Sequence, residues 1–202
     1  MALTFEIEDA LLGPVAGVDE VGRGPWAGPV VAGAVILDRA RVPKGLRDSK
    51  KLSAKRREAL SAEIAETAAI GLGWVSVAEI DAMGVGKATL LAMSRALEAL
   101  PVRPAAVIVD GLVLPALPEG VVARALPRAD DLSPSVAAAS ILAKVARDAE
   151  MARLHEHHTP YDWASNKGYG TRAHADALEI HGVTPHHRLS FAPIARRAER
   201  KP

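Results

Sequence analysis

The chain has 202 residues with no cysteine, 49% hydrophobic and 24% charged residues, and a formal net charge of +1. That length supports one substantial core, and the missing thiols exclude disulfides, thiolate metal sites and cysteine nucleophiles, so any metal must sit on oxygen or imidazole. No stretch reaches the roughly 20 apolar residues of a membrane span, and the first ten residues hold three acids and no base, unlike a signal peptide; a cytoplasmic address is expected.

"VAGVDEV" (15–21) and "VVAGAVIL" (30–37) read as strands joined by the Gly/Pro-rich turn "GRGPWAGP". Neighbouring strand residues point to opposite faces, so of Asp19 and Glu20 one must be central to any shared site and the other peripheral. Gly22, Gly24 and Ala27 satisfy a dinucleotide-binding pattern, but Pro25 and Pro29 interrupt it and a strand follows where a helix N-terminus is needed. Glycines flanking Arg23 are better suited to exposing backbone N–H groups to a close-lying ligand. Residues 41–57 then carry eight Lys or Arg against the single acid Asp48, a basic stripe that suits either a solvated helix face or a nucleic-acid patch.

Ser53 reads as the N-cap of a helix over about 54–68, and "IGLGWVSV" (70–77) as a third strand. A helix over about 86–99 follows, with Leu90, Met93, Leu97 and Leu100 at helical spacing. "AAVIVDG" (105–111) is an apolar strand closed by Asp110, at the carboxyl end where α/β proteins commonly place ligands. After another strand, "VVARAL", come Asp130 and Asp131, for which helix capping is the simplest structural account.

Ser133 and Pro134 open a helix running to about His157, with an apolar face of Ala138, Leu142, Val145 and Ala149 and a neighbouring face of Ser140, Lys144 and Asp148. "HEHH" (155–158) lacks the second histidine that zincin spacing requires, and imidazoles there suit a helix C-terminus. "NKGYGT" (166–171) is either a surface turn or a loop offering Lys167 to a phosphate and the Tyr169 ring to a sugar or base. A last helix over about 171–180 ends at Gly182. The order of elements suggests a mixed sheet with helices on both faces.

Acids clustered at strand ends need basic partners or metal ions, because an unpaired buried carboxylate is costly. Hard oxygen ligands favour Mg²⁺ or Mn²⁺, and loosely held ions of that kind suit two-metal phosphodiester cleavage; the same acids could serve only caps and salt bridges.

The segments "AGVDEVGRGPWAGPVVAGAVIL", "LRDSKKLSAKRRE", "ATLLAMSRALEAL", "VIVDG", "AAASILAKVARD", "NKGYGT" and "HHRLSF" run in order from about residue 15 to 194. Together they resemble the type 2 ribonuclease H family in its bacterial ribonuclease HII form. The resemblance implies an α/β ribonuclease H fold with a central mixed five-stranded sheet. Its first three strands are antiparallel and the later ones parallel, and helices cover both faces. One catalytic domain would span 1–202, with a helical C-terminal part over about 150–202.

The resemblance also implies an endonuclease that cuts the RNA strand of RNA–DNA hybrids and single ribonucleotides in duplex DNA. Cleavage would use two Mg²⁺ or Mn²⁺ ions and leave 3′-hydroxyl and 5′-phosphate ends. Asp19, Glu20 and Asp110 match the family's first three acids, and Asp130 rather than Asp131 the fourth. Gly22, Arg23 and Gly24 would read the 2′-hydroxyl and Tyr169 would pack on the following sugar, with Lys50, Lys144, Lys167 and Arg188 as candidate phosphate contacts. Lys144 could equally be an ion-pair partner of Asp148. No obligate protein partner is expected, and the chain is expected to act as a monomer. The alternatives are another metal nuclease of the same fold and a non-catalytic hybrid-binding protein.

Overall fold

The computed structural model describes residues 3–199. Residues 1–2 and 200–202, which belong to the expected domain and its C-terminal part, lie outside the described residues. Five strands form one sheet: β1 (Val15–Val21), β2 (Val30–Leu37), β3 (Ala68–Val75), β4 (Ala106–Asp110) and β5 (Val122–Leu126), in the order β3-β2-β1-β4-β5. The pairs β1–β2 and β2–β3 are antiparallel, whereas β1–β4 and β4–β5 are parallel, as the sequence led us to expect.

Helices α1 (Glu6–Asp9), α2 (Ala54–Thr67), α3 (Val77–Met83), α4 (Val85–Glu98), α5 (Pro134–His157), α6 (Trp163–Asn166), α7 (Arg172–His181) and α8 (Ala192–Ala198), with short 3₁₀ turns at Ser49–Lys51, Ala129–Asp131 and Thr159–Tyr161, complete the described architecture. Two of them approach the sheet at backbone distance, and glycine makes this possible. A Cβ on Gly17 or Gly33 would lie 2.1 Å or 2.6 Å from α5 backbone atoms, and one on Gly71 or Gly73 would meet α4 at 2.1 Å or 1.9 Å. Alternate β1 residues therefore face opposite helices. Ala16 and Val18 join the α4-side core with Ala92, Met93 and Ala96, while Gly17 and Asp19 look toward α5.

Three expectations need correction. The third strand ends at Val75 instead of residue 77, because Ser76 leaves it to form a reciprocal cap with Glu79 at the start of α3. The final helix is α8 and not α7; Phe191 precedes it and Pro193 lies in its first turn. On α5, Val145 is only half-buried and Ala149 is exposed, whereas Arg147, Met151 and Leu154 are buried. The first half of α5 is enclosed by sheet and α2, so its apolar run has no single face, and the seam that continues the burial passes through an arginine.

Candidate active site

Parallel pairing sets Val18 opposite Val109, so the next residues, Asp19 and Asp110, stand level at the carboxyl ends of β1 and β4. Asp110 accepts the Ala129 N–H at 2.7 Å, which ties the end of β4 to a short 3₁₀ turn, Ala129–Asp131. That turn brings Asp130 to the same end of the sheet, where it is 7% exposed. Glu20, on the opposite face of β1 from Asp19, lines a groove with Asp110, Arg23 and the first turns of α4. The structure thus gathers all four expected acids, from one strand pair and one turn.

Their electrostatics are those of crowded, poorly hydrated negative charge. Burial raises Asp19 well above the ordinary carboxylate range, and Glu20 and Asp110 raise it further, while hydrogen bonds from Ser140 and the Glu20 N–H pull the other way. Burial also raises Glu20, opposed by Arg23 and reinforced by Asp110. Asp130 is pushed up to about 6 by burial, with Asp110, Asp48 and Asp131 adding to it and Lys50 opposing. Burial would lower the Lys50 ammonium, but Asp48, Asp19, Asp130 and Asp110 outweigh it and leave it raised, so this cation faces the acids.

Asp131 behaves differently. It is held by Lys51 and, at 2.7 Å, by Arg128, and these bonds keep it below the ordinary range. Neither acid caps α5: Ser133 supplies the N-cap, and the carboxylate at that helix end is Glu8, which accepts from Ser133 Oγ at 2.6 Å and from the Ser135 N–H at 3.1 Å. The capping account of Asp130 is therefore set aside.

All of these donors are oxygen, and their unmet charge is negative, which is the chemistry a hard divalent cation requires. Asp19, Glu20, Asp110 and Asp130 would hold it. Among the described residues no three acidic or imidazole groups already converge as a ready-made cage.

The residues expected to face a substrate divide. Gly22 has φ +97°, and a Cβ there would lie 2.3 Å from Arg147 Nε; a Cβ on Gly24 would lie 3.4 Å from the Tyr169 ring. The loop at 22–24 and Tyr169, 48% exposed, therefore face each other. Lys144 forms the ion pair with Asp148 at 2.6 Å, and burial pulls its ammonium down. Lys167 Nζ donates to the Ala164 carbonyl at 2.5 Å, back along its own segment.

Arg188 contradicts its expected role as a phosphate contact. It is fully buried, and its guanidinium donates to the carbonyls of Gly22 (2.6 Å), Arg23 (3.1 Å), Gly28 (2.8 Å) and Pro29 (3.2 Å). Arg147, also fully buried, donates to Pro29 (2.9 Å), Ala27 (3.1 Å) and Lys167 (2.9 Å). Burial lowers these guanidiniums to about 9 and about 10, which leaves both charged at neutral pH. The 22–24 loop is consequently pinned. Arg147 could have been suspected from its helical spacing with Ala143 and Met151; Arg188 carries no such local signal.

The family model for Ribonuclease HII matches residues 16–194. A ribonuclease HII from Jannaschia sp. (strain CCS1) is 54% identical over 97% of this chain and 98% of its own length, and one from Rhizorhabdus wittichii is 52% identical over 96% and 95%. Among solved structures, ribonuclease H2 from Pyrococcus horikoshii OT3 superposes with a TM-score of 0.78 at 26% identity, covering 93% of this chain and 98% of that one. Ribonuclease HII from Archaeoglobus fulgidus, solved in complex with PCNA, gives 0.75 at 29% identity, with 89% and 95% covered. Bst ribonuclease HIII, solved with Mn²⁺, gives 0.72 at 25%, with 93% and 71% covered. With these matches spanning the acid cluster and both loops beside it, the chain belongs to the ribonuclease HII family, metal-dependent ribonuclease H endonucleases that act on RNA–DNA hybrids.

Proposed function

We propose that this chain, acting as one catalytic domain and as a monomer, also cuts duplex DNA at single embedded ribonucleotides, leaving 3′-hydroxyl and 5′-phosphate ends. In this reading Asp19, Glu20, Asp110 and Asp130 hold two Mg²⁺ or Mn²⁺ ions. The observation that carries it is the set of desolvated carboxylates at adjoining strand ends, raised by one another and faced by Lys50. Two bound dications supply activation of a water and neutralisation of charge on the leaving oxygen.

The chain's own groups supply aim. In a trans peptide the C=O of one residue and the N–H of the next point in opposite directions. Arg188 holds the Gly22 and Arg23 carbonyls, so the Arg23 and Gly24 N–H groups point away from it, as paired donors for a ribose 2′-hydroxyl and its phosphate. Tyr169, across from Gly24, offers its ring to the next sugar. Lys50 attracts the phosphate toward the acids.

The test is a DNA duplex holding one ribonucleotide, incubated with Mg²⁺ with and without chelator, with the cut mapped to the nucleotide. Cleavage should occur only at the ribonucleotide and stop with chelator. Asp19→Asn should lower turnover by on the order of a hundredfold or more while binding persists. Equal cutting of a plain DNA duplex would refute the specificity, and cleavage that ignored chelator would refute the metal role.

A further inference from the structure

Beside the Tyr169 loop lies a histidine pair that the cleavage chemistry does not use. His174, on α7, is fully buried and His187 is 1% exposed. The backbone N–H of Thr184 donates to His187 Nδ1 at 2.9 Å. A backbone amide can only donate, so His187 Nδ1 carries a lone pair and the neutral ring bears its proton on Nε2. That N–H points at His174 Nε2, 3.0 Å away, which must accept; the Trp163 indole N–H donates to the same nitrogen at 3.3 Å. The His174 proton then lies on Nδ1 and is donated to the Tyr169 carbonyl at 3.0 Å.

Both tautomers follow from a fixed donor at one end and a fixed acceptor at the other. A second proton is poorly placed: on His187 Nδ1 it meets the Thr184 N–H, and the Thr184 hydroxyl oxygen 3.0 Å away already accepts the His186 N–H, while on His174 Nε2 it meets two N–H groups. The titratable groups facing the pair are Tyr161, His158, His186 and Arg197, none of which would stabilise an imidazolium. Tyr161 spends its own hydroxyl proton on the Gly182 carbonyl. Burial accordingly lowers both histidines, His187 to about 3.

We propose that Thr184, His187 and His174 form a one-directional, permanently neutral relay that fixes the Tyr169 backbone, so that both histidines are positioning residues for the nucleotide packed on Tyr169. The proposal rests on the reading of Tyr169 given above. It accounts for the burial of two imidazoles without a carboxylate partner, and it holds the backbone of the Tyr169 shelf that faces the 22–24 loop.

Two conservative variants separate the relay's halves. His174→Asn keeps a donor near the Nδ1 position, toward Tyr169, whereas His174→Gln keeps an acceptor near the Nε2 position, toward His187, and loses the Tyr169 bond. With the single-ribonucleotide duplex, His174→Gln should raise KM roughly five- to tenfold at unchanged kcat, and His174→Asn should stay within about twofold. Equal KM changes in the two, tracking their melting temperatures, would reduce the pair to packing and overturn the proposal. Tyr169→Ala should raise KM at least as much as His174→Gln; if it does not, the reading of Tyr169 fails and the relay has nothing to position. Long-range ¹H–¹⁵N spectra of the parent protein test the geometry without activity. They should show Nδ1–H on His174 and Nε2–H on His187, unchanged from about pH 8 to about pH 5.5. The opposite tautomers, or titration near the ordinary histidine value, would also overturn it.

Discussion

Asp130 and Asp131 are neighbours with one chemistry and opposite fates. Lys51, 80 residues earlier, and Arg128 take Asp131 to the surface, while Asp130 turns toward Asp110. Local sequence cannot separate them, because the partner that decides lies on a different segment; only the family pattern favoured Asp130. Asp130 titrates at about 6 against an ordinary 3.8, so its charged form is disfavoured by folding. The cost is full above about pH 6 and is relieved as pH falls toward 4. In metal-free protein Asp130→Asn should therefore be more stable than the parent at about pH 7.5, by on the order of 1 kcal/mol, and the advantage should vanish by about pH 4. His187, held near 3, contributes the opposite slope: its stabilisation is present above the ordinary histidine value of 6.5 and is lost as pH falls below it. The difference between variant and parent in urea denaturation is hence the informative measurement, and equal stability at neutral pH would contradict the unmet charge.

At the scale of elements, alternation and capping made most of the sheet and its helices legible, since each strand is bounded by glycine, proline or a hydroxyl cap. Less legible were features that depend on two segments meeting, such as the buried seam of α5 through Arg147. The glycines of β1 and β2 belong to this group: in sequence Gly17 looks like a weakness in a strand, and in the fold it is what lets Ser135 and Val136 of α5 touch the sheet. Gly17→Ala should push α5 outward, costing about 1–3 kcal/mol in denaturant unfolding. It should also reduce cleavage, because α5 carries Ser140 to Asp19 and follows directly from the Asp130 turn. Gly86, inside α4, has open space for 4 Å around the place an alanine methyl would occupy, so Gly86→Ala should be neutral or stabilising by roughly 0.5–1 kcal/mol. Equal costs at the two sites would mean that helix propensity and strand entropy, not close approach, explain the glycines.

Across the whole molecule, the net charge of +1 conceals a separation of roles. Four acids gather at the strand ends, and of the basic residues around them Lys50 is outward while Arg147 and Arg188 are buried as clamps. A phosphate contact and a buried clamp are both arginine or lysine in sequence, yet they answer salt differently. Each phosphate neutralised releases counterions and steepens the fall of binding with salt, whereas a guanidinium spent on backbone carbonyls releases none. Lys50→Ala should reduce the slope of log affinity against log salt by about 1 with little change in stability. Arg188→Gln should leave that slope unchanged and cost roughly 2 kcal/mol or more in unfolding, because a neutral amide cannot reach the Gly22, Arg23, Gly28 and Pro29 carbonyls together. Binding to an uncut hybrid in Ca²⁺, titrated with salt, measures the slopes, and urea unfolding measures the stabilities. A shallower slope for Arg188→Gln at full stability would restore Arg188 as a phosphate contact and leave the 22–24 loop without its clamp.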